Sequence, residues 1–139
     1  MPRFMLFMIP NIPDEQYEQG LNADDVSEMM KFNESLTQAG VLLALDGLLA
    51  PSKGARIAVK DGKKTVTDGP FTEAKELVGG YWLIDVKSKE EAVEWATRCP
   101  LEGDSIIEVR QVAEMSDFPE DVQEVAHLSQ EPPAQTQAR

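Results

Sequence analysis

The chain has 139 residues, of which 42% are hydrophobic, and a formal net charge of −12. That is enough for one domain with a core plus a tail, and too short for two ordinary domains. So acidic a surface repels polyanions, which weighs against nucleic acid and anionic membranes as direct partners. Cys99 is the single cysteine and makes no internal disulfide. No stretch carries the charged start, apolar middle and small-residue cleavage site of a secretory leader, so a cytoplasmic location is expected.

The segment Arg3 to Ile9 is apolar at both parities: Phe4, Leu6 and Met8 point one way, Met5, Phe7 and Ile9 the other. It is too short to span a membrane, and Pro10 and Pro13 end it, so it reads as a strand buried on both faces. Residues 10–22 are polar and proline-bearing, with Tyr17 their only aromatic, and read as a long loop over an opening. A helix is expected from about Asp24 to Ala39, opened by acids and closed by Gly40. Its apolar stripe is Val26, Met29, Met30, Leu36 and Thr37, with Asn33 in the middle, either a ligand contact or a satisfied core amide. Val41 to Leu49 is a second strand. Residues 56–60 and 64–67 flank Asp61-Gly62 as an exposed hairpin.

The stretch Thr65 to Val86 is the organising one. A strand ends on Asp68, the corner Asp68-Gly69-Pro70-Phe71 turns the chain, Thr72 to Glu76 offers a helical turn, and Gly79-Gly80 opens the strand Tyr81 to Val86. Glycine turns the corner and proline fixes the next φ, which holds the carboxylate in one orientation. The glycine pair permits a bulge or a close backbone approach. Ser88 to Glu91 is a capping box for a helix whose buried side is Ala92, Val93, Trp95 and Ala96 and which stops at Pro100. Ser105 to Val112 is the last strand. Asp117 starts a short acidic helix to about Leu128, and residues 129–139 are rich in Pro, Gln and Ala and read as disordered.

Strand, helix, strand, hairpin, strand, helix, strand is an α+β chain: a ferredoxin-like βαββαβ plan with an inserted hairpin. Helices of this size cover one face of such a sheet. Apolar residues on the other face call for a second copy, so a homodimer packed sheet to sheet is expected. The domain is residues 1–113, followed by an acidic extension, residues 114–139.

The run Asp68-Gly69-Pro70-Phe71, with Glu73, Lys75-Glu76, Gly80, Glu91-Ala92, Trp95-Ala96, Pro100 and Glu108-Val109-Arg110, resembles the DGPF branch of the YCII-related family. The resemblance runs from about Arg3 to Val112, and Glu114 to Phe118 resembles an extension of longer members. It implies a dimeric α+β barrel, a bacterial origin, and a frequent association with extracytoplasmic-function sigma factors. The family's His and Asp pair implies an active site in which Asp68 matches the Asp. The only histidine, His127, lies in the extension, so no His matches.

The carboxylate chemistry therefore centres on Asp68, either a general base with a pKa raised by burial or the former of an Asx turn. Arg56, Lys75 and Arg110 are candidate anion-binding groups and Tyr81 a candidate hydrogen-bond donor. Ion pairs for the arginines, a solvated turn for Lys75, and a core or interface position for Tyr81 are the structural alternatives. Cys99 reads as a buried small hydrophobe. No phosphate loop, dinucleotide fingerprint or metal motif is present, so no cofactor or metal is expected. Two functions follow: binding of a small molecule near Asp68, with a cofactor-independent isomerase- or lyase-like step, or a non-catalytic partnership with a sigma factor.

Overall fold

The computed structural model describes residues 1–20, 22–71 and 77–126. Strand β1 (Arg3–Ile9) is hydrogen-bonded on both sides, antiparallel to β5 (Gly80–Asp85) and to β6 (Ile106–Gln111), and β2 (Leu42–Gly47) completes the order β2-β5-β1-β6. Leu6 lies opposite Trp82 and Val109, and Phe7 opposite Tyr81 and Glu108. This register puts Phe4, Leu6, Trp82 and Ile84 on one face, where they are buried. Met5, Phe7, Tyr81 and Leu83 fall on the other and stay partly exposed. The apolar residues of both parities are there, but the helices cover only one set.

Two helices lie on the covered face. Asn22 caps α2 (Ala23–Gln38), its side-chain oxygen accepting the Asp25 N–H at 2.9 Å, and Gly40 leaves the helix at φ +73°. This helix buries Phe32 and Leu36. Val26 and Met30, assigned to the stripe from spacing, are exposed, whereas Phe32 meets Trp82 edge to face with ring centroids 5.4 Å apart. The large aromatic pair fixes the rotation of the helix about its axis. In α3 (Lys89–Thr97) the small Ala92 and Ala96 are buried and let the helix lie close to the sheet. Ser88 accepts the Glu91 N–H at 3.2 Å, while the Glu91 carboxylate accepts from Lys87 N–H at 3.0 Å, one residue before the position a capping box uses. Val93 is 39% exposed, against full burial of Ala92 beside it.

The hairpin β3 (Ala55–Lys60) and β4 (Lys63–Asp68) forms a separate two-stranded sheet. Asp61 and Gly62 both have positive φ, +52° and +78°, the requirement of a type I′ turn. Residues 10–22, expected as a loop, contain a short helix, α1 (Asp14–Glu18). Strand β2 is shorter than expected at both ends, although Val41 still accepts from the Asp85 N–H at 2.8 Å and Leu48 still donates to the Gly79 carbonyl at 2.9 Å. After β6 a 3-10 turn, Met115–Asp117, leads to α4 (Glu120–Ala126). The start of this extension is tied to the sheet by Arg3, whose guanidinium donates to Glu114 at 2.8 and 3.2 Å. The expected turn at 72–76, the last residues of the acidic helix, and the tail 129–139 lie outside the described residues. Among the described residues no helix is long and apolar enough to cross a membrane.

Candidate functional site

Residues 10–20 form a strap across one end of the sheet, on the helix-covered side, pinned at three places. The Tyr17 hydroxyl donates to the carbonyl of Leu48 at 2.6 Å and is shared with that of Gly79 at 3.1 Å. The Asp14 carboxylate accepts the Ser52 N–H at 3.3 Å, and the Asn11 amide donates to the Asp104 carbonyl at 2.9 Å. The glycine pair makes this closure possible. A Cβ on Gly79 would stand 3.0 Å from the Tyr17 oxygen, and one on Gly80 2.9 Å from the Asp46 carbonyl of the neighbouring strand.

Beneath the strap is a cavity of about 770 Å³. Met8, Gly47 and Gly79 come from strand ends, Asp25, Glu28 and Met29 from the first half of α2, Leu48, Leu49 and Ala50 from the exit of β2, and Pro100, Glu102 and Ser105 from the link between α3 and β6. Its size falls in the range of small-molecule sites, and its walls are mainly apolar with a few polar groups, the usual balance for such a site. Burial pushes the Tyr17 phenol up, so it stays a neutral donor. Glu102 hydrogen-bonds to Asp25, which together with their mutual repulsion pushes the Glu102 carboxyl above its ordinary range. Lys53 is the one cation among the described lining residues. No three His, Cys, Asp or Glu among the described residues are placed to hold a metal ion.

The described residues among those singled out from sequence fall elsewhere. Asp68 is exposed at the end of β4, opposite Ala55 and outside the cavity. Gly69 is needed less for its φ than for room, because a Cβ there would drive into the Pro51 carbonyl. Arg56 lies over the Phe71 ring at 4.1 Å, a cation–π contact. Tyr81 and Arg110 share the uncovered sheet face, away from the strap. The Tyr81 hydroxyl donates to the Asp46 carboxylate at 2.7 Å, which raises the pKa of the phenol, and Arg110 pairs with Glu108 at 3.3 Å. A groove of about 390 Å³ on that face is lined by Phe7, Ile9, Val78, Ile106, Glu108 and Arg110. Lys75 lies outside the described residues. The structure thus joins Tyr81 and Arg110 on one surface and leaves Asp68 and Arg56 on the hairpin.

Asn33 accepts a hydrogen bond from the Trp82 indole N–H at 2.7 Å, so it is a satisfied amide, bonded to a side chain rather than to backbone. Cys99 is buried, and desolvation pushes its thiol up to about 12. Of the cavity residues, Tyr17, Met29, Met8 and Gly79 carried a signal in the sequence, as the lone aromatic of the loop, a member of the apolar stripe, part of the first strand and one of the glycine pair. Asp25 and Glu28 read only as acids suited to a helix N-terminus. Nothing about Lys53 or Glu102 pointed to a shared wall.

A four-stranded antiparallel sheet with helices on one face, a detached hairpin and an end cavity under a strap define an α+β protein with room for a small molecule. Residues 5–116 match the YCII-related domain, and the chain belongs to the YCII-related family. It is also similar to the uncharacterized protein R00369 of Rhizobium meliloti (strain 1021), 28% identical over 96 residues, which cover 66% of this chain and 77% of that protein.

Proposed function

We propose that the chain binds a small, largely apolar molecule in the cavity beneath residues 10–20. The observation that carries this reading is a space of about 770 Å³ with apolar walls, held open under a strap that Tyr17 pins to two backbone carbonyls. Asp25, Glu28 and Glu102 outnumber Lys53 on the lining, so a neutral or cationic ligand is favoured over an anion. Asp25 and Glu102 supply carboxyls to that lining, the groups a cofactor-independent isomerase- or lyase-like proton transfer would draw on. A catalytic role for Asp68, with Arg56, Lys75, Tyr81 and Arg110 around the substrate, is the alternative placement of the site.

A thermal-shift screen of apolar amines, their neutral analogues and the matching carboxylates tests both placements. Stabilisation by amines or neutral compounds that survives Asp68→Asn and is weakened in Met29→Trp, which narrows the cavity, supports the cavity reading. Loss of the shift in Asp68→Asn with a melting temperature otherwise unchanged moves the site to the hairpin corner.

The assembly belongs to the same proposal. The uncovered sheet face presents Met5, Phe7 and Leu83, the row a second copy would cover in a ferredoxin-like dimeric barrel. Light scattering should then give twice the chain mass of 15.4 kDa.

A further inference from the structure

From Lys53 to Asp68 every residue is exposed, and among the described residues β3 and β4 pair only with each other. A lone two-stranded hairpin is marginal in water unless something packs against it. Ile57 and Val66 are partners across this ladder, Val59 follows on the same face, and the three are 64%, 68% and 70% exposed. A stripe of β-branched side chains this open is a surface awaiting a partner.

The hairpin differs in charge from the rest of the chain. Residues 53–68 hold five cations, Lys53, Arg56, Lys60, Lys63 and Lys64, against Asp61 and Asp68, a net +3 within a chain of −12, so the remaining residues carry −15. The molecule is a strongly acidic body with one basic arm, and is complementary to itself. A two-fold arrangement lets the arm of each copy meet the acidic body of the other, so that both stripes are covered at once.

We propose that the β3–β4 hairpin is a docking arm for a second copy of this chain. Its Ile57–Val59–Val66 stripe lies on the partner, and its lysines face the partner's carboxylates. This rests on the self-pairing proposed above and adds a contact that the sheet face alone does not make. Another acidic macromolecule is a weaker match. A nucleic acid would have to approach a body of the same sign, whereas a second copy brings the opposite charge to the arm wherever it pairs.

The test uses the full chain. Isotope-labelled and unlabelled copies are mixed, with a photo-reactive benzoylphenylalanine at Val66 or, as a control, at Val93, which is exposed on α3. Cross-links joining a labelled to an unlabelled chain from position 66, and reduced in about 0.5 M salt, are expected. Cross-links from position 66 confined to single chains overturn the proposal. In parallel, sedimentation equilibrium compares Lys60→Glu/Lys63→Glu/Lys64→Glu and Phe7→Glu with the parent. The hairpin variant should weaken self-association by about tenfold or more and lose its salt dependence. Because those lysines are exposed, its melting temperature checks that the fold is kept. If Phe7→Glu separates the copies while the hairpin variant changes nothing, the arm is refuted and sheet pairing stands. If the hairpin variant separates them and Phe7→Glu does not, the arm stands and sheet pairing fails. A parent chain that stays monomeric, or a hairpin that binds duplex DNA in place of a second copy, refutes the arm.

Discussion

Replacing Asn33 by leucine tests the account of the core most sharply, because a change that increases apolarity is expected to destabilise. Trp82 is 5% exposed, and its indole N–H donates to the Asn33 side-chain oxygen at 2.7 Å. Leucine removes the acceptor and leaves the N–H buried without a partner, which costs about 1–3 kcal/mol. Trp82→Phe loses the donor along with part of the ring. In the double variant no indole N–H remains to be orphaned, so its cost should fall short of the sum of the two single costs by about 1–2 kcal/mol. Urea midpoints at one fixed chain concentration, with the slope unchanged, give the three differences. Additivity within about 0.5 kcal/mol would refute the reasoning and free Asn33 for another role.

Cys99 should resist thiol reagents in the folded protein and react freely once unfolded, since its thiol is pushed from 9.0 up to about 12. The unfolded thiol ionises first, so between those values the folded state holds more protons and stability falls as pH rises, a slope that Cys99→Ala should remove in alkaline urea titrations. Glu114 is held below the ordinary carboxylate range by its hydrogen bond from Arg3. That contribution is present above the ordinary glutamate pKa and is lost as pH falls through the lowered value. Arg3→Met should return Glu114 to an ordinary titration when its carboxyl carbon is followed by NMR. Gly80→Ala should destabilise by about 1–3 kcal/mol through its clash with the Asp46 carbonyl, whereas Gly47→Ala, which meets nothing within 4 Å, should be close to neutral in the same melts.

What the sequence made legible is local. Apolar residues at both parities marked β1 as a strand with two faces to cover, Asp61-Gly62 marked the hairpin turn, and Gly79-Gly80 marked a close approach. Each signal lies in a few adjacent residues. The orientation of α2 was misread because helical spacing admits several stripes, and only the Phe32–Trp82 contact, across 50 positions of chain, selects among them. The cavity was harder still. Met8, Tyr17, Met29, Leu48, Gly79 and Glu102 meet there from separate segments, and no local pattern announces such a convergence. Asp68 drew attention because its motif is compact, yet that very motif sits on an exposed hairpin end. Tyr81 and Arg110 were correctly placed on strands, but the parity that decides their face emerges only from the pairing register.

Fluorescence titration with N-phenyl-1-naphthylamine, a neutral apolar probe, examines the cavity most directly. The account predicts saturable binding at one site per chain, unchanged in Asp68→Asn and weakened in Met29→Trp at an unaltered melting temperature. Binding whose affinity Met29→Trp leaves unchanged, or the absence of saturable binding to the parent chain, would contradict it.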